Sequence, residues 1–90
     1  MTEEENLTIP FNIYPNPANE MVTFAFSTME ESTYNIMLID LTGRVVKSQT
    51  GNATSGENTY IMNLDGIAKG LYLVELRIGD TFNKVKLIVQ

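Results

Sequence analysis

Carboxylates are the only acid–base groups of note that this sequence offers. Its 90 residues contain no His and no Cys. Thiolate–imidazole zinc sites and Ser–His or Cys–His nucleophiles therefore have no raw material. Asp40, Asp65 and Asp80 each sit beside a Gly-containing turn, where aspartates typically accept hydrogen bonds from local backbone. A catalytic carboxylate pair needs a cleft between its members. A calcium loop needs several oxygen ligands at close spacing. Neither pattern is present. Asn6-Leu7-Thr8 and Asn52-Ala53-Thr54 match the N-glycosylation pattern, a three-residue signal that arises often by chance. The four Tyr and four Phe could line a sugar-binding face. Tyr34, Tyr60 and Tyr72 instead fall on the alternation that buries their strands, which favours core packing. These residues predict no enzyme, no cofactor and no metal.

Size and charge narrow the classes further. Ninety residues make one domain with little left over. A hydrophobic fraction of 43% is normal for a folded chain and too high for a disordered one. A core this small would be weakened by a large pocket. The chain carries 6 Lys+Arg against 11 Asp+Glu, a net charge of -5. An acidic chain with scattered Lys is a poor nucleic-acid binder, because phosphate contacts need clustered positive charge. No apolar run approaches ~20 residues, so no membrane-spanning helix is expected. Thr-Glu-Glu-Glu follows Met1, where a signal peptide would show a basic segment and an apolar core.

The elements that position these residues are strands. Residues 1–10 read as a linker, with Glu3, Glu4 and Glu5 repelling one another. Those three supply more than half of the net charge and leave the rest of the chain at -2. From Phe11 onward, runs of five to nine residues are separated by Gly, Pro, Asn and Asp. The predicted strands are 11–14, 20–27, 33–40, 44–49, 58–64, 71–78 and 82–89. Pro15 and Pro17 end the first, since neither can donate a ladder hydrogen bond, and Asn16 and Asn19 turn the chain. Val22, Phe24 and Phe26 share one face of the second strand. The third has Tyr34, Ile36 and Leu38 on one face and Met37 and Ile39 on the other, which predicts a central strand. Asp40 and Gly43 belong to a hairpin connection. Val46 is the inward residue of the fourth strand, and residues 51–57 read as a polar loop. Tyr60, Met62 and Leu64 face inward, and Ile67 plugs the turn before Gly70. Tyr72, Val74, Leu76 and Ile78 form the core face of the sixth strand. Val85, Leu87 and Val89 point inward from the last, with Lys84 and Lys86 outward. Seven short strands without a helical period predict an all-β, seven-stranded antiparallel sandwich of the immunoglobulin-like kind. A small closed barrel is the alternative. The last strand is expected at a sheet edge, where Lys84 and Lys86 would discourage unwanted pairing. Otherwise it is a strand read by a partner.

Four pieces in order carry a resemblance. YPNPA (Tyr14 to Ala18), IDLTGRVV (Ile39 to Val46), LDGIAKGLYLVEL (Leu64 to Leu76) and a Lys-containing apolar strand at the end resemble the C-terminal sorting domain of type IX secretion cargo. These are the type A signals of Bacteroidota. The resemblance covers residues 13–90. Pro15, Pro17, Asp40, Gly43, Gly70 and Tyr72 match the family's structural motifs. Lys84 and Lys86 match its basic residues before the last apolar positions, although many members end in a basic residue where this chain has Gln90. The resemblance implies a secretion signal over residues 11–90. It is recognised by the outer-membrane translocon through Lys84, Lys86, Leu87, Ile88, Val89 and Gln90. A sortase-like peptidase at the cell surface would then cut in the linker before Phe11. It also implies an excised domain of a larger exported protein, passing through the periplasm. A weak homodimer by edge-strand pairing is a further expectation. The reading from a different class is a passive carbohydrate-binding or adhesive module, which an exposed row of aromatics would favour.

Overall fold

The computed structural model describes residues 11–90. The linker expected over residues 1–10 and the Asn6 sequon lie outside the described residues. Seven strands form: β1 (Phe11–Tyr14), β2 (Met21–Thr28), β3 (Ser32–Ile39), β4 (Val45–Ala53), β5 (Gly56–Asn63), β6 (Gly70–Ile78) and β7 (Thr81–Val89). They make a three-stranded sheet, β1-β2-β5, and a four-stranded sheet, β4-β3-β6-β7. Every ladder is antiparallel. The two inner faces pack together as a β-sandwich with immunoglobulin-like strand order. A closed barrel is excluded by the two separate sheets.

Alternation of side chains explains the core. Val22, Phe24 and Phe26 of β2 meet Tyr34, Ile36 and Leu38 of β3, and Val74, Leu76 and Leu87 complete the cluster. All are buried. The Phe24 and Tyr60 rings stack at 6.3 Å, and Phe26 meets Tyr34 edge-on at 5.4 Å. Val46, Tyr60 and Ile67 are half-buried against this core, as their alternation predicts. β3 is central, between β4 and β6, which accounts for its apolar residues on both faces.

One predicted loop is largely strand. Residues 51–57 belong to β4 up to Ala53 and to β5 from Gly56, so only Thr54 and Ser55 connect them. Their polar composition hides a period of two made with small residues. Ala53 is buried, and Gly51 lies under the Tyr34 ring, where a Cβ would meet the ring within 3 Å. The crossing from one sheet to the other happens within this two-residue link. Asn58 fixes it by accepting from Thr54 N–H at 2.9 Å and donating to Thr54 C=O at 2.9 Å. Thr28 adds a hydroxyl donor to the same carbonyl at 3.0 Å. β4 also begins at Val45 rather than Arg44, because Arg44 closes the preceding turn.

Candidate functional site

The opposite edge of the sandwich is closed by the YPNPA segment. Pro15 and Pro17 carry no N–H, so this stretch cannot build a ladder from its own backbone alone. Asn16 compensates with its side chain. Its Nδ2 donates to Lys86 C=O at 2.9 Å, and its Oδ1 accepts from Ile88 N–H at 3.1 Å. Ala18 continues with backbone: its N–H donates to Ile88 C=O at 2.8 Å, and its C=O accepts from Gln90 N–H at 2.8 Å. Ala18 and Val89 form a parallel bridge, and Ala18 is fully buried. A primary amide presents one donor and one acceptor at peptide-like spacing. Asn16 therefore acts as a surrogate strand residue beside β7.

This arrangement changes what the last strand offers. β7 is an edge strand, as its sequence predicts. Its even-numbered residues direct N–H and C=O away from β6, following the antiparallel pattern from the Ile78–Thr81 pair. From Lys86 C=O to Gln90 N–H those groups are bonded to Asn16 and Ala18. Side chains divide by the same alternation. Leu87 and Val89 are buried core residues, while Lys84, Lys86, Ile88 and Gln90 are exposed. Of the six residues expected to be read by a partner, four therefore face solvent and two anchor the strand. The sequence alone places Asn16 only in a turn. Its position between two prolines signals an amide that substitutes for missing backbone donors, without naming the strand it meets.

The remaining motif residues make local contacts within turns and at strand ends. Asp40 Oδ1 accepts from Thr42 N–H at 2.9 Å, Thr42 Oγ1 at 2.6 Å and Arg44 N–H at 3.0 Å. Gly43 donates to Asp40 C=O at 3.0 Å with φ at 91°, a conformation that glycine adopts without a Cβ clash. The Thr42 hydroxyl, then the Arg44 N–H, hold the Asp40 carboxyl below its ordinary range. Gly70 opens β6 at φ 151°. Tyr72 is buried, and its hydroxyl donates to Ala68 C=O. Pro15 and Pro17 each follow a cis peptide bond.

No cluster of three metal-ligating side chains occurs among the described residues. The surface depressions described hold at most one carboxylate each. Tyr34 and Tyr72 are buried. The exposed rings of Tyr14 and Phe82 lie on strands of different sheets. Those two make no aromatic platform. Asn52 is exposed on β4, with Ala53 of its sequon buried.

The family model of the secretion system C-terminal sorting domain matches residues 12–90. The chain belongs to this family. It is a type IX secretion sorting domain, a signal that directs export through the outer membrane to the cell surface or extracellular space. The family is one of sorting signals rather than catalysts, and it works through the type IX machinery. A comparison with curated proteins gives no match. Among solved structures, the chain is similar to part of a beta-glucosidase from Listeria innocua. The likeness is 14% identity at TM-score 0.47, over 90% of this chain and 16% of that one. A complex of that enzyme with isofagomine gives 16% identity at TM-score 0.45, with the same coverage. The sorting domain thus spans about a sixth of those chains.

Proposed function

We propose that the translocon reads the exposed residues of β7 and that the domain contributes no catalysis of its own. Lys84, Lys86, Ile88 and Gln90 are the contact residues, and Leu87 and Val89 hold them in place from the core side. The observation that carries this reading is the Asn16 clamp. It fixes the path of the strand and leaves its charged side chains in solvent. A sortase-like peptidase then cuts within residues 1–10, ahead of the first strand. Self-association by strand pairing at this edge would be confined to the start of β7, because the clamp occupies the rest.

Photo-crosslinking tests the contact. A photoreactive residue at position 84, in a cargo fused to the 90-residue chain, should trap an outer-membrane component of the secretion system. The same probe at Thr23, on the other sheet, should trap much less. Equal trapping from both positions would overturn the assignment. Mass spectrometry of the released cargo should find its new C-terminus within residues 1–10. Analytical ultracentrifugation tests pairing, with a monomer expected at micromolar concentration.

A further inference from the structure

The outer face of the four-stranded sheet is unusually apolar. Its register sets Val45, Ile39, Leu73 and Lys86 in one cross-strand row. Leu71 lies opposite Ile88 at one side of this row. On the other side, Ser48, Met37, Glu75 and Lys84 form the next row. Solvent-facing sides of antiparallel sheets are ordinarily polar. Here six aliphatic or thioether side chains adjoin, and Val45, Leu71 and Ile88 remain 39–47% exposed. The other sheet gives the contrast. Its outer rows are Tyr14–Thr23–Ile61, Asn12–Ala25–Thr59 and Met21–Asn63, so its apolar residues stand apart among Thr and Asn.

Charge sorts onto the same face. Residues 11–90 hold six cationic side chains and eight carboxylates. The outer face of the four-stranded sheet takes three of the cations, Arg77, Lys84 and Lys86, and a single carboxylate. That carboxylate, Glu75, is 6% exposed and paired with Arg77 at 2.7 Å. Arg77 and Lys84 also lie over the Phe82 ring at 4.9 and 5.9 Å. The result is a cationic, apolar face on an acidic domain. Contiguous exposed apolar surface rimmed by polar groups marks an interaction site.

We propose that this face is a docking surface for a partner protein whose own surface combines aliphatic side chains with carboxylates. Three lines fix that occupant. Two copies docked face to face would oppose their Lys84, Lys86 and Arg77 charges. An anionic lipid surface calls for about four to eight clustered cations, more than this face provides. Backbone pairing along Lys86–Gln90 is already taken by Asn16 and Ala18. What remains is side-chain recognition of a protein, with apolar contact for affinity and charge for orientation. The inference rests on the sorting function and adds Ile39, Leu71 and Leu73 to the residues that the machinery reads.

Export of a periplasmic reporter fused to the 90-residue chain tests it. Val45→Asp/Leu71→Asp, at two exposed positions of this face outside the β7 contact residues, should cut surface or medium reporter at least tenfold, while its melting temperature stays within a few degrees. Ile61→Asp, on the opposite sheet, should leave export within twofold. If the first variant fails to fold, Val45→Ser/Leu71→Ser takes its place with the same expectation. Normal export of a folded double variant would overturn the docking surface alone. Retention of the wild-type fusion in the periplasm would overturn the sorting function itself. Co-sedimentation of the chain with vesicles of anionic phospholipid would replace the protein partner with a membrane. Concentration-dependent dimers that the double variant loses would replace it with a second copy.

Discussion

Replacing Asn16 with Ala removes both side-chain bonds to β7 while leaving the Ala18 backbone pair intact. Each lost bond contributes roughly 0.5–1.5 kcal/mol net. Asn16 is exposed, so water takes over part of the lost bonding, and a total of about 1–2 kcal/mol follows. For a domain of this size that lowers the melting temperature by about 5–10 °C. The loss is also local. Ile88 N–H loses its acceptor, whereas Leu87 sits in a hydrogen-bonded pair with Tyr72 of β6. Amide exchange should therefore accelerate at Ile88 more than at Leu87. Asn16→Asp separates the two bonds. It keeps an acceptor for Ile88 but sets a carboxylate oxygen against Lys86 C=O, so the exchange at Ile88 stays slower than in the Ala variant. Thermal melting by circular dichroism and amide exchange by NMR supply both readouts. A melting temperature within 1–2 °C of wild type, together with unchanged Ile88 exchange, would refute the clamp.

Three further outcomes follow from the packing. Gly51→Ala places a Cβ 2.6 Å from the Tyr34 hydroxyl and 2.7–2.8 Å from its ring, which Phe26 and Tyr60 hold in place. A destabilisation of about 1–3 kcal/mol is expected, measurable by urea unfolding. Leu87→Ala empties a fully buried position at a cost of about 2–5 kcal/mol. Truncation from Lys86 therefore unfolds the domain as well as removing contact residues, and circular dichroism of the truncated chain checks this. Asp40 has a folded-state pKa below its unfolded value of about 3.9. Its contribution is complete above the unfolded pKa and disappears as pH falls through the folded one. Asp40→Asn should be less stable than wild type at pH 7, and the difference should shrink as pH falls below the unfolded-state pKa and through the lower folded-state one.

The fold was legible because on each strand the core-facing positions recur with a period of two. Phe24, Ile36, Val74 and Leu87 all occupy the buried face that alternation gives them. Turn chemistry was equally clear at Asp40 and Gly43, where each interaction is local in sequence. The 51–57 segment was harder, since Gly51 and Ala53 face the core without looking hydrophobic. The Asn16 clamp lay beyond local reading for a different reason. Its partners are 70 and 72 residues away, and nothing in a Pro-Asn-Pro turn specifies which strand it will meet. The docking face depends likewise on register between β3, β6 and β7, which places Ile39, Leu73 and Lys86 in one row. Glu75 shows the same limit. Its position on the solvent side of β6 predicts exposure, yet neighbouring side chains and the Arg77 pair leave it buried.

Export is the property on which the account stands. A reporter with a cleavable N-terminal signal peptide, fused ahead of the 90-residue chain, would be expressed in a host with a working type IX system. Cell fractionation in that host and in a strain lacking the system gives the measurement. The account predicts reporter at the surface or in the medium of the competent host, and in the periplasm of the deficient one. Reporter that stays in the periplasm of both, with the domain folded, would contradict it.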